Sequence, residues 1–109
     1  MRKAEIYCKG YLAGILTEIN QQHFSFRYNE VYFSDTSKPA ISITLPKIQI
    51  EYSSEFLFPF FYNMLSEGVN RKLQSKVLKI DEEDNLGLLL ATAQYDTVGS
   101  VTVKAIDAG

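Results

Sequence analysis

Tryptophan is absent from this chain, and cysteine and histidine occur once each, as Cys8 and His23. A single cysteine rules out an internal disulfide framework. One His and one Cys are too few for a transition-metal site built from those ligands. Glycine is limited to six residues and proline to three, and the glycines lie too far apart for a phosphate-cradling loop. No apolar run approaches the length needed to span a membrane. Met1-Arg2-Lys3 leads straight into an alternating pattern, without the apolar centre of a signal peptide. The expected setting is therefore the cytoplasm.

What remains has the composition of one folded domain. The 109 residues are 46% hydrophobic and 22% charged, too apolar for disorder and too short for two cores. The expectation is a single domain over 1–109. Seven Phe and seven Tyr are many rings for so small a core, which hints that some lie on a surface meant to be covered. The net charge of −2 and a pI near 5.3 argue against nucleic-acid binding by bulk electrostatics. Charge is also unevenly spread. Residues 1–79 hold ten Lys/Arg and seven Asp/Glu, a net of +3, whereas residues 80–109 hold one Lys and six acids, a net of −5.

Hydrophobic period divides the chain. Ala4, Ile6 and Cys8 alternate with Glu5 and Tyr7, and Lys9-Gly10 offers a turn into a second strand over about 11–18. Phe24, Phe26 and Tyr28 mark a third strand. The segment from Asn29 to Pro39, with its Ser34-Asp35-Thr36-Ser37 run, reads as loop, and Ile41, Ile43 and Leu45 read as a fourth strand ended by Pro46. From Leu57 the period becomes helical, with Leu57, Phe60, Phe61, Met64 and Leu65, and Pro59 suits a first turn. Gly68 reads as the left-handed stop of this helix.

A second helix is expected with Val69, Leu73, Val77 and Ile80 on one stripe, beside Lys72, Lys76 and Lys79. Asp81 then reads as an N-cap with Asp84 at N3. The third helix carries Leu86, Leu89, Leu90 and Ala93 on one side and Gly87, Leu88 and Ala91 on the other. Being apolar nearly all round, it is either central or covered by a partner. Val101, Val103 and Ala105 form a closing strand. The expected fold is α+β: an antiparallel sheet or partly closed barrel of about five strands, with three short helices between the fourth and last.

Catalytic chemistry has few candidates. Cys8 falls on the presumed inner face of its strand, and nothing orients a Cys–His pair. The acidic run Asp81-Glu82-Glu83-Asp84 lacks the alternate spacing and central glycine of a calcium loop, which favours a helix start. The lysines of the second helix read as a solvated face more readily than a nucleic-acid contact. No catalytic, cofactor-binding or metal-binding residue is assigned.

Three stretches, taken in order, carry a resemblance. They are Ile6-Tyr7-Cys8-Lys9-Gly10-Tyr11-Leu12-Ala13-Gly14-Ile15-Leu16, Ala40-Ile41-Ser42-Ile43-Thr44-Leu45-Pro46, and Pro59-Phe60-Phe61-Tyr62-Asn63-Met64-Leu65-Ser66-Glu67-Gly68. With Asp96 and Gly99-Ser100-Val101, this order resembles the small N-terminal subdomain of HipA-type serine/threonine kinases, over about 4–106. Ser66 stands where that family usually has Pro, and Ala93-Gln94-Tyr95 replaces its Gly-rich approach to the last strand. In full-length members this subdomain precedes the core that holds ATP, magnesium and the catalytic Asp, and the present chain stops where that core would begin. The resemblance implies a separately encoded HipA-like kinase as partner, with no kinase activity in this chain and no cofactor of its own.

Split members of this system pair a detached, HipS-like small subunit with a shortened toxin kinase. A helix-turn-helix protein supplies their DNA binding. The resemblance therefore implies a regulatory, antitoxin-type subunit, with a helix-turn-helix DNA-binding protein as a further candidate partner in the same complex. Charge and the lack of a spanning run add the expectation of no direct nucleic-acid or membrane binding. The expected partner interface is Phe60, Phe61, Asn63, Leu65, Glu67, Gly68 and Arg71. Phe60, Phe61 and Leu65 read more readily as core than as interface, since apolar helical stripes usually face inward. Alternatives are a structural subunit that supports kinase activity, an unrelated small-molecule or nucleic-acid binding module, or a fragment of a longer kinase.

Overall fold

A computed structural model describes residues 2–65, 68–81, 83–92 and 101–106, with side chains at 69–71, 74 and 92 outside the description. Five strands form one antiparallel sheet: β1 (Arg2–Cys8), β2 (Tyr11–Asn20), β3 (His23–Tyr28), β4 (Glu51–Ser54) and β5 (Val101–Ile106). Their order is β4-β3-β2-β1-β5, so the sheet is open rather than a closed barrel. Among the described residues, four helices accompany it: α1 (Glu30–Ser34), α2 (Pro59–Tyr62), α3 (Gly68–Leu78) and α4 (Asn85–Thr92). Three of them lie between the fourth and last strands, as the periodicity predicts.

The Lys9-Gly10 turn joins β1 to β2 with both residues at positive φ, 52° and 83°. That backbone matches the twist of a two-residue hairpin. Further along, Ile6 pairs with Gly14 while Tyr7 pairs with Leu12, leaving Ala13 as an extra residue. Its carbonyl accepts the Asn29 N–H at 2.8 Å, so the bulge also anchors the exit from β3. Gly14 is needed there, because a Cβ would lie 2.5 Å from the Arg27 carbonyl oxygen and 2.7 Å from the Phe26 ring.

Alternation along the strands sends Ala4, Ile6, Cys8, Leu16, Phe24, Phe26, Tyr28, Val101 and Val103 to one buried face. Leu86, Leu88 and Leu89 of α4 bury onto the same core, which makes α4 the central helix of the two choices its sequence left open.

Four local expectations need correction. Ile41, Ile43 and Leu45 do not form a strand. Ile41 and Leu45 are buried, but Ile43 is 95% exposed at the tip of a turn closed by Leu45 N–H to the Ser42 carbonyl. Three tyrosines hold this segment. The Tyr28 hydroxyl donates to the Leu45 carbonyl and accepts the Ile41 N–H, while Tyr32 and Tyr52 donate to the carbonyls of Pro39 and Pro46. Burial pushes the Tyr28 hydroxyl up to about 12, so it remains a donor. The fourth strand is Glu51–Ser54, paired with β3.

Secondly, the stretch read as loop contains α1. Asn29 caps it by accepting the N–H groups of Val31 and Tyr32. Thirdly, Gly68 begins α3 instead of ending α2. The left-handed stop is Lys79, at φ 57°, with Ile80 N–H returning to the Ser75 carbonyl. Leu73 and Val77 face solvent, at 55% and 76% exposure, while α3 packs on α4.

Fourthly, the N-cap of α4 is Asp84 and not Asp81. Asp84 Oδ1 accepts the Gly87 N–H at 3.0 Å. Asp81 instead closes a local turn on the Glu83 N–H. Glu82, Ala93 and the 95–100 segment lie outside the described residues.

Candidate interaction surface

Pro59 opens α2 because its missing N–H costs nothing at a helix start and its fixed φ suits the first turn. The short helix divides its rings between two sides. Phe61 is fully buried, with ring centroids 5.9 Å from Phe26, 6.3 Å from Phe58 and 5.2 Å from Phe60. Leu65, one turn later, is buried as well, and Phe60 is partly buried against the core. Phe61 and Leu65 therefore act in this chain's own core, the second of the two roles open to them. Asn63 is exposed just after the helix, and Tyr62 is 43% exposed. Gly68 is in helical backbone, and Glu67 and the Arg71 side chain lie outside the described residues.

Cys8 and His23 do not meet. Cys8 pairs with Tyr11 at the start of β2, whereas His23 pairs with Asn20 at its end. Nine residues of extended strand separate those points, about 30 Å. Cys8 is buried, as expected for an inner-face residue, and His23 is exposed.

At the end of the sheet near His23, the chain forms a groove of about 660 Å³. Its floor is an ion-pair cluster tying the first strand to the last helix. Arg2 donates to Glu18 through Nε and Nη2 at 2.8 and 2.9 Å, and to Asp84 through Nη1 and Nη2 at 3.0 and 2.8 Å. Four of the five guanidinium donors are thereby used. The two carboxylates hold Arg2 well above its ordinary value, and Arg2 in turn holds the Asp84 carboxyl below the usual carboxylate range. Gly87 leaves room for this, since a Cβ there would lie 2.3 Å from Asp84 Oδ2 and 3.2 Å from Arg2 Nη1.

The groove's walls combine Phe56, which is 75% exposed, and Tyr62 with the carboxylates of Glu55, Asp81 and Glu83. Sequence reasoning missed Glu55 and Phe56. The surplus of aromatic residues was the available signal, and Phe56 is one of the rings the core does not use.

The fold and this geometry agree with what comparison finds. A family model for the HipA N-terminal domain matches residues 4–104. The chain belongs to the HipA N-terminal domain family. A solved structure, the N-terminal domain of HipA toxin, superposes with a TM-score of 0.74, covering 100% of this chain and 96% of that one. Its sequence identity is 24%, so that likeness carries the fold alone. An uncharacterised protein of Haemophilus influenzae is 27% identical over 104 residues, covering 95% of this chain and 92% of its own. Membership in the HipA family gives the chain a toxin–antitoxin family context. Among the described residues, no helix is long and apolar enough to cross a membrane.

Proposed function

We propose that this chain is a non-catalytic subunit that docks on a separately encoded HipA-like serine/threonine kinase in the cytoplasm and restrains it as an antitoxin. The observation that carries this reading is the match of residues 4–104 to the HipA N-terminal domain family, and the solved structure of the same fold is the N-terminal domain of a toxin. The exposed Phe56 and Tyr62, beside a groove large enough for side chains of another protein, support a binding role. Regulation by docking needs no reactive group in the small subunit. Its free energy comes from burying apolar surface and pairing charge across the contact.

Co-expression with the protein encoded immediately downstream tests the docking. Joint elution from a size-exclusion column supports it, and separate elution of two folded proteins at micromolar concentration removes it. The sign of regulation follows from phosphorylation rates with and without this chain. A fall in rate on adding it supports restraint. A rise would make the chain an assisting structural subunit.

A further inference from the structure

We infer that the groove between the sheet end and α4 is the docking site for a Lys- or Arg-bearing segment of the partner protein, with the basic side chain seated against Phe56 and Tyr62. This rests on the proposal that the chain docks on a kinase, and it names the surface and the chemistry of that contact. The first support is charge balance. Among the described residues, Glu18, Glu55, Asp81, Glu83 and Asp84 face the groove against the single guanidinium of Arg2. Arg2 is already shared between Glu18 and Asp84, and neither Glu55 nor Glu83 forms a salt bridge with any described residue.

The second support is the aromatic wall. A Phe ring at 75% exposure leaves apolar area in water that a partner's side chain would cover. A cation over a Phe or Tyr face gains attraction from the ring quadrupole while its alkyl stem covers the ring. Carboxylates beside exposed rings thus match a long basic side chain better than an apolar or acidic one. The floor shows the same chemistry within the chain, where two carboxylates clasp one guanidinium. The volume of about 660 Å³ admits a side chain with its flanking backbone.

The test compares kinase affinity for the full chain and for Phe56→Ala and Glu55→Gln/Glu83→Gln variants, with Ile43→Ser as an exposed control away from the groove. Circular dichroism melts confirm that each variant folds. At least fivefold weaker binding in both groove variants, and none in Ile43→Ser, is expected. Weaker binding should also appear on raising salt.

A complex whose affinity is unchanged in both groove variants overturns the groove assignment and leaves docking on the kinase intact. Failure of the unmodified chain to bind the kinase at all overturns the kinase reading instead. NMR titration with the peptide acetyl-Gly-Arg-Gly-Lys-Gly-amide then decides the groove alone. Saturable shifts at Glu55, Phe56 and Asn85, absent with an acetyl-Gly-Glu-Gly-Glu-Gly-amide control, would retain it as a basic-segment site. No shifts would remove it.

Discussion

Arg2 and Asp84 stand 82 positions apart in the sequence and meet through two hydrogen bonds, of 3.0 and 2.8 Å. Asp84 simultaneously caps α4 through the Gly87 N–H, so one carboxylate fastens the edge of β1 to the start of the central helix. Asp84→Asn keeps the cap, because Asn is as good an N-cap as Asp, and deletes the charge. Asp84→Ala deletes both. The expected losses are roughly 1 kcal/mol for Asn, since both partners remain about a third exposed and water screens the pair, and roughly 2 kcal/mol for Ala. Urea midpoints would measure them, and equal losses would show that the cap adds nothing.

The same carboxylate predicts a pH dependence. Asp84 is held below its ordinary value, first by the hydrogen bond from Arg2, so the unfolded chain binds a proton more readily than the folded one. Its contribution is fully present above the unfolded Asp value of about 3.9 and is lost as pH falls through the lower folded value. Denaturation at pH 7 and then at steps below pH 4 should show the Asp84→Asn variant losing less stability than the parent. Parallel profiles would contradict the assignment.

Much of the sheet was legible because alternation has a single physical cause, one buried face. Ala4-Ile6-Cys8, Phe24-Phe26-Tyr28 and Val101-Val103 were read correctly on that ground. Ile41-Ile43-Leu45 shows where the same signal fails. A turn whose two ends are buried and whose tip is exposed also puts every second residue inward. What selects the turn is a hydroxyl supplied by Tyr28, thirteen residues before Ile41, and no local pattern carries that information. The groove was illegible for a similar reason. It joins the start of β1, the end of β2, the segment after β4 and the entry to α4, and only the strand pairing brings these together.

Tyr28 therefore offers a direct test of how the loop is held. Its hydroxyl is buried and bonded both to the Leu45 carbonyl and to the Ile41 N–H. Tyr28→Phe keeps the ring and leaves both backbone groups without that partner. Unsatisfied buried polar groups cost roughly 1–3 kcal/mol, which for a domain of this size lowers the melting temperature by several degrees. Hydrogen exchange at Ile41 should accelerate more than exchange in β1 or β2. Uniform acceleration would mean that the hydroxyl supports the whole fold and not the loop in particular.

Lys79 predicts a gain in stability. It holds a left-handed conformation, φ 57°, at the end of α3, where glycine is the residue with no Cβ penalty. Lys79→Gly relieves that cost while keeping the Ile80 N–H bond to the Ser75 carbonyl. A gain of about 0.5–1 kcal/mol is expected, the left-handed cost of roughly 1–2 kcal/mol less the roughly 0.5–1 kcal/mol of extra entropy that glycine loses on folding, read as a higher melting temperature. A loss would mean that the Lys79 side chain or its charge matters more to the helix end than its backbone angle.

Phe61 and Asn63 separate folding from docking within three residues of chain. Phe61 is fully buried against Phe26, Phe58 and Phe60, so Phe61→Ala should cost about 3–5 kcal/mol through lost burial and a cavity. Any loss of kinase binding in that variant would follow from unfolding. Asn63 is exposed, and its backbone N–H, not its side chain, bonds to the Pro59 carbonyl. Asn63→Ala should leave the melting temperature within about 1 °C, because surface substitutions away from such features change little. If α2 lies in the contact with the kinase, the same variant should weaken that complex severalfold. Unchanged affinity in Asn63→Ala, together with weakened binding in Phe56→Ala, would move the contact away from the turn after α2 and onto the acidic groove.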